Sequence, residues 1–255
     1  MLAWRSGGIS SEARSRVQGA MTMSGDEAGR ALLGQGAVII WNDVVPDGRD
    51  QFYAWHDKEH IPERLSLPGF RRGRRFIRPG HSPEWLTIYE ADDLSVVSSP
   101  AYLERLNSPT PATVSSLKYF RNTSRAVCRL VYSVGASSGG HVLALRMSVP
   151  TAQQDAMSAY FATRAFPLAL SATGVVACHL FVADGTASFT HTAESSTRQF
   201  DVPSCVVLAE ATTEMAAAGA RSVLETDELR RLGVNVREDA AVYALEICRL
   251  SLEAA

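Results

Sequence analysis

The chain has 255 residues, of which 46% are hydrophobic and 20% charged, with a formal net charge of −2. That length supports a sizeable core, in one large domain or two small ones, and the balanced charge lacks the basic excess of a nucleic-acid protein. No apolar run approaches the roughly 20 residues that span a bilayer, so the chain reads as cytoplasmic, with no membrane and no nucleic-acid partner.

In chain order, residues 1–35 are rich in Gly, Ser, Arg and Ala without an apolar core, and read as a disordered leader rather than a secretory signal. Met21 and Met23 offer later translation starts. Residues 37–43 are apolar and β-branched, a strand. Residues 49–65 carry a helical pattern, with Pro62 straining its last turn. Pro68-Gly69 marks a turn. Strands at 70–78 and 85–91 are joined by the hairpin loop Pro79-Gly80-His81-Ser82-Pro83. A short helix at 96–107 and a strand at 124–134 follow, and residues 133–140 have linker composition. The order then repeats: strand 141–149, helix 152–171, strands 175–183 and 204–211, helix 214–232 and strand 239–250. The second hairpin loop, 184–203, is longer and polar, the composition of a mobile flap.

A shift of 105 positions brings the two series into register. Pro62 falls on Pro167, Gly69 on Gly174, Asp50 on Asp155, Trp55 on Tyr160 and Phe76 on Phe181. Each series is β-α-β-β-α-β, the ferredoxin-like motif, with both helices on one face of an antiparallel sheet. Strand 141–149 is apolar on both faces, so its second face needs a cover. The expected fold is therefore α+β. Two tandem ferredoxin-like halves, 36–135 and 141–251, pack sheet to sheet as a pseudo-dimeric α/β barrel and close on each other to form a small-molecule pocket. A monomer already closes that barrel; a homodimer through leftover sheet edges is the alternative.

The polar cluster sits in the first half. His56 and His60 are four apart and share a helical face, with Glu59 beside them. The shifted positions hold Phe161, Ala165 and Arg164. Imidazoles beside a carboxylate suit acid–base chemistry near neutral pH, although a helix bearing Asp, Lys, Glu and His is also an ordinary solvated face. His-x-x-Glu-His matches a zinc-protease pattern, but the proline two residues on and the absence of an obvious third ligand helix weigh against it; a metal held by His56, His60 and a carboxylate is the alternative, and no metal is expected. Arg71, Arg72, Arg74, Arg75 and Arg78 line the second strand on both faces, most of them solvated, with Arg74 a candidate for an anionic ligand group. Trp41, Asn42, Trp85 and Tyr89 suit a pocket wall or plain core packing. Cys128, Cys178, Cys205 and Cys248 sit in apolar runs without a CxxC pair and read as buried free thiols.

The run Trp55-His56-x-x-Glu59-His60-Ile61-Pro62-Glu63-Arg64, followed by Pro68-Gly69-Phe70 and Arg74-Arg75-Phe76, resembles EthD-like members of the dimeric α/β-barrel superfamily. The motif spans about residues 38–90. The resemblance implies a hydrophobic pocket between sheet and helices with the helix-one histidines at its mouth. It also implies an enzyme binding an apolar, aromatic or polyketide-like molecule. Cofactor-independent cyclisation, dehydration, isomerisation or monooxygenation would run through His56, His60 and Glu59, and Asn42 would hold an enolate oxygen. Haem binding and non-catalytic metabolite binding are its other implications.

Overall fold

The computed structural model describes residues 31–194 and 201–252. Nine strands run β1 Gly36–Val44, β2 Phe70–Ile77, β3 Trp85–Ala91, β4 Phe120–Gly135, β5 His141–Ser148, β6 Val175–Ala183, β7 Cys205–Ala211, β8 Asn235–Val236 and β9 Ala241–Leu250. Seven helices, besides short 3-10 turns, accompany them among the described residues. Helix α1 comprises Arg49–Trp55, a π-helical turn His56–His60, and Ile61–Leu65; α2 is Pro100–Asn107 and α3 Pro111–Leu117. Helix α4 comprises Gln154–Tyr160, a π-helical turn Phe161–Ala165, and Phe166–Leu170. The others are the single turn α5 Gly185–Ser188, then α6 Glu214–Leu224 and α7 Asp227–Arg231.

The strands run β7-β6-β4-β1-β3-β2-β9-β5 and close through β5–β7 into an antiparallel barrel of eight; β8 adds two residues beside β5. The first half contributes β4-β1-β3-β2 and the second β9-β5-β7-β6, two ferredoxin-like sheets joined edge to edge. Strand β4 pairs with β6, and β2 with β9. Shifted by 105 positions, the three segments of α1 coincide end for end with those of α4. Gly69 and Gly174 both turn at positive φ, 86° and 90°. A side chain at Gly69 would meet Val96 2.5 Å from its Cβ.

The barrel interior is not a pocket. Alternate residues point inward: Ala37, Ile39 and Trp41 from β1, Leu86 and Ile88 from β3, with Val206, Leu208, Phe181 and Tyr243 from the second half. They fill the lumen, a correction to the cavity expected between the halves. The other face of each sheet is covered by its helices.

At one end the lumen is charged. Arg72 grips Glu90 through Nε and Nη2, at 2.9 and 3.0 Å. Arg74 Nη1 donates to Glu210 at 2.8 Å, and its Nη2 lies 3.0 Å from Glu90. His179 Nε2 lies 3.4 Å from Glu210. Burial alone would raise the Glu210 pKa; hydrogen bonding to His179 and the Arg74 charge bring it down to about 2. Arg72, Arg74 and Arg75 are thus buried and paired, where most of the strand-two arginines were expected in solvent.

Several boundaries move. Residues 31–35 belong to the fold rather than to the leader. Leu32 packs in the lumen, the Leu33 N–H donates to Glu90, and the Ala31 carbonyl accepts from Arg72. The rest of the predicted leader, 1–30, and residues 195–200 of the predicted flap lie outside the described residues. Residues 133–135 are strand, paired with β6, rather than linker. Helix α3 was not expected, and 214–232 is broken into α6 and α7. Cys248 is exposed, whereas Cys128, Cys178 and Cys205 are buried. No helix among the described residues is long and apolar enough to cross a membrane.

Candidate functional site

Pro62 shapes the site. It has no N–H to offer the turn before it, so that turn widens, and the Ile61 N–H bonds to the His56 carbonyl five residues back. Pro167 does the same in α4, where Phe166 bonds to Phe161. The wide turn keeps His56, His60 and, a further turn on, Arg64 in one stripe facing the sheet. All three are buried. The rings form a column: Phe52 to His56 at 5.1 Å, His56 to His60 at 5.6 Å, and His60 to Trp55 at 4.3 Å between centroids.

Strands β2 and β3 fix the state of His56. Arg75 Nη1 lies 2.9 Å from His56 Nδ1, and Tyr89 Oη lies 3.3 Å from Nε2. A guanidinium can only donate, so Nδ1 accepts and the ring proton sits on Nε2, which donates to Tyr89. Burial, then the Arg75 and Arg64 charges, hold the imidazole pKa well below its ordinary value. Arg75 is itself held by Asp57 and by Glu246 of β9, at 2.7 Å. The second half thus supplies an anchor for a first-half histidine. Tyr89 Oη accepts the hydrogen bond from His56 Nε2 and keeps its own hydrogen to donate. Burial raises its pKa far above the ordinary range, so it stays protonated.

Between this helix face and the sheet lies a cavity of about 40 Å³, lined by His56, His60, Arg64, Asn42, Thr87, Tyr89, Tyr102, Arg125 and apolar neighbours. Its rim is closed by Glu194, from the stretch after α5, whose carboxylate takes a charged hydrogen bond from Arg64 Nη2. Burial works against the Arg64 charge, but Glu194, with Tyr102 and Glu63, outweighs it and lifts the guanidinium pKa. Glu63 Oε2 lies 3.8 Å from His60 Nδ1.

Of the residues expected at the site, the structure gathers His56, His60, Asn42 and Tyr89 around this cavity. Glu59 turns away: its carboxylate accepts from Thr110, the N-cap of α3, so Glu63 rather than Glu59 is the acid near an imidazole. Trp41 and Arg74 face the lumen, on the opposite side of the sheet. Trp85 packs under Phe52, behind the site. Arg64, Arg75, Thr87 and Glu194 were not anticipated. Arg64 was within reach, because the four-residue spacing of His56 and His60 continues to it. Glu194 is brought in by a loop, which no periodicity signals.

The second half fills the equivalent space. Through the 105 shift and the β5–β7 register, Asn42, His56, His60, Arg64, Thr87 and Tyr89 correspond to Met147, Phe161, Ala165, Ala169, Val207 and Ala209. These six belong to one apolar core cluster. The fold therefore does not need polarity here.

Among the described residues no group of His, Cys, Asp and Glu could hold a metal. A porphyrin does not fit the geometry as it stands. The cavity is far below the several hundred Å³ of a typical cofactor site, and both nitrogens of His56 are engaged.

No protein family and no curated protein matches the sequence. Solved structures do match in fold. An anthrone oxidase-like protein is 11% identical over 89% of this chain and 97% of its own, with a TM-score of 0.56. A variant chlorite dismutase from Candidatus Nitrospira defluvii is 11% identical over 92% of this chain and 95% of its own, with a TM-score of 0.51. At such identity the likeness concerns the fold, that of the dimeric α/β barrels.

Proposed function

We propose that the first-half cavity is the active site of a small-molecule enzyme that moves protons on an enolisable, aromatic or otherwise apolar ligand without a cofactor. The carrying observation is the contrast between halves. Six polar positions in one have apolar counterparts in the other, although burying polar groups is costly where no function requires them.

In this reading His60, next to Glu63, is the acid–base group. It takes the proton from a carbon beside a carbonyl, and the C–H electron pair shifts onto the carbonyl oxygen. The imidazolium returns the proton at another carbon, completing an isomerisation, or at the same carbon, giving exchange. Tyr89 donates its hydroxyl hydrogen to the developing enolate oxygen, with Asn42 across the cavity as a second donor. His56 is a positioning residue, because its ring nitrogens are committed to Arg75 and Tyr89. This changes the role expected for it from sequence.

Proton exchange into the methyl group of acetophenone in D2O, followed by NMR, tests the reading, the ring entering a cavity of about 40 Å³ that must open at its Glu194 rim to admit it. The wild type exchanges it, His60→Ala loses the exchange and Tyr89→Phe retains a fraction. Equal rates in wild type and His60→Ala would end the proposal. Haem binding, the second reading, draws on the superfamily resemblance, but the first-half cavity as it stands is too small for a porphyrin; a Soret band on haem titration would revive it.

A further inference from the structure

We propose that Arg64 is the anchor for a carboxylate on the ligand, and that Glu194 is a built-in stand-in for that carboxylate which leaves when the ligand enters. The proposal rests on the active-site reading above and narrows its substrate to monocyclic aromatic acids.

Arg64 is 3% exposed, yet its fork is only half used. Nη2 donates to Glu194, whereas Nη1, also buried, makes no hydrogen bond among the described residues; its nearest acid oxygen, on Glu63, is 4.0 Å away. A guanidinium is built for two parallel bonds to one carboxylate. A buried fork with one free donor in a cavity is a receptor awaiting the second oxygen of an acid. The other guanidinium on the wall, Arg125, is less buried and donates from Nη2 to Tyr102 at 3.3 Å.

Glu194 does not belong to the sheet or to the helix that carries Arg64. It arrives 130 positions away in sequence and is seated by a backbone bond from its N–H to the Leu106 carbonyl. Its side-chain bond to Arg64 is therefore separate from the strand pairing that closes the barrel. The space it vacates adds to the small cavity, and the surrounding walls are aromatic: Tyr102, Phe70, Phe120 and Trp55. Arg64 also lies one turn beyond His60 on the same stripe, so a carboxylate on Arg64 places the attached ring or carbonyl beside the imidazole.

The position has no counterpart in the second half, where Ala169 is buried in the core. The cation is thus specific to the polar half.

The test is binding of benzoate and of benzamide, its neutral isostere, by calorimetry. Glu194→Gln keeps a hydrogen-bonding side chain but removes the competing charge, and should tighten benzoate by about tenfold or more while leaving benzamide unchanged. Arg64→Met in the Glu194→Gln background should abolish the gain, and Arg64→Lys should recover only part of it, because an ammonium lacks the fork. Thermal unfolding verifies that each variant is folded. If Glu194→Gln binds benzoate no better than wild type, or gains equally for benzamide, the stand-in role is wrong. Benzoate behaving as expected while His60→Ala keeps full exchange activity would leave the anion site intact and remove the catalytic reading instead.

Discussion

Replacing Arg74 by Met tests whether the charged end of the barrel lumen holds the two halves together. Arg74 lies on first-half strand β2 and bonds to Glu210 on second-half strand β7; both are essentially unexposed. Glu210 has a pKa of about 2, against an ordinary 4.5. At about 1.4 kcal/mol per pKa unit the difference corresponds to about 3 kcal/mol of stability. His179 and Arg74 share that effect, and Arg74 also lies beside Glu90. Removing one member of a buried pair typically costs 3–5 kcal/mol, so Arg74→Met should lose about 3 kcal/mol at pH 7. Urea unfolding followed by tryptophan fluorescence reports it, with Trp41 inside the same lumen. The pH dependence gives a second signature. In the wild type the Glu210 contribution is complete above pH 4.5 and is lost as pH falls towards 2, because the unfolded carboxylate takes up its proton first. In Arg74→Met burial is less opposed, the folded pKa rises, and that acid-side loss shrinks. The double variant Arg74→Met with Glu210→Gln should recover more than half of the stability lost at pH 7. A cost below about 1 kcal/mol, or an unchanged acid limb, would refute the reasoning.

Other consequences are open to direct measurement. His56 should stay neutral, as the Nε2–H tautomer, well below pH 6.5, with 15N shifts showing one protonated nitrogen; a doubly protonated ring at pH 6 would contradict the Arg75 contact. Because the unfolded imidazole protonates first, His56 should also make stability fall as pH drops below 6.5. Of the four cysteines only Cys248 should react at once with a thiol reagent in the native protein, read by mass spectrometry. Cys178 and Cys205, pushed up to about 12 by burial, should wait for unfolding, as should Cys128. Gly69→Ala should destabilise the chain by about 2 kcal/mol or more, since its φ of 86° and the Val96 methyl both oppose a Cβ.

Much of the fold was legible because punctuation residues repeat. The prolines at 62 and 167 and the glycines at 69 and 174 predict matching helices and turns, and they carry matching π-turns. The stripe of His56 and His60 followed from spacing alone. What was hidden lies in the third dimension. Strand alternation separates Trp41 from Asn42 and Arg74 from Arg75, but the sequence does not say which face looks into the lumen. Candidates from both faces were therefore grouped as one pocket. Glu59 was assigned by adjacency, whereas Thr110 takes it away. The charged lumen was unexpected because Arg74, Glu90, Glu210 and His179 come from four strands and are only juxtaposed when the barrel closes.

That closure has a practical corollary for anyone cutting the gene in two. Each half ends in strands whose hydrogen-bonding partners reside on the other: β4 needs β6, and β2 needs β9. Fragments severed within 136–140 would each carry two raw margins and aggregate if made alone, yet recombine when produced together. The short connector can therefore serve as the split point of a complementation reporter, with acquisition of ligand binding as the signal of reassembly.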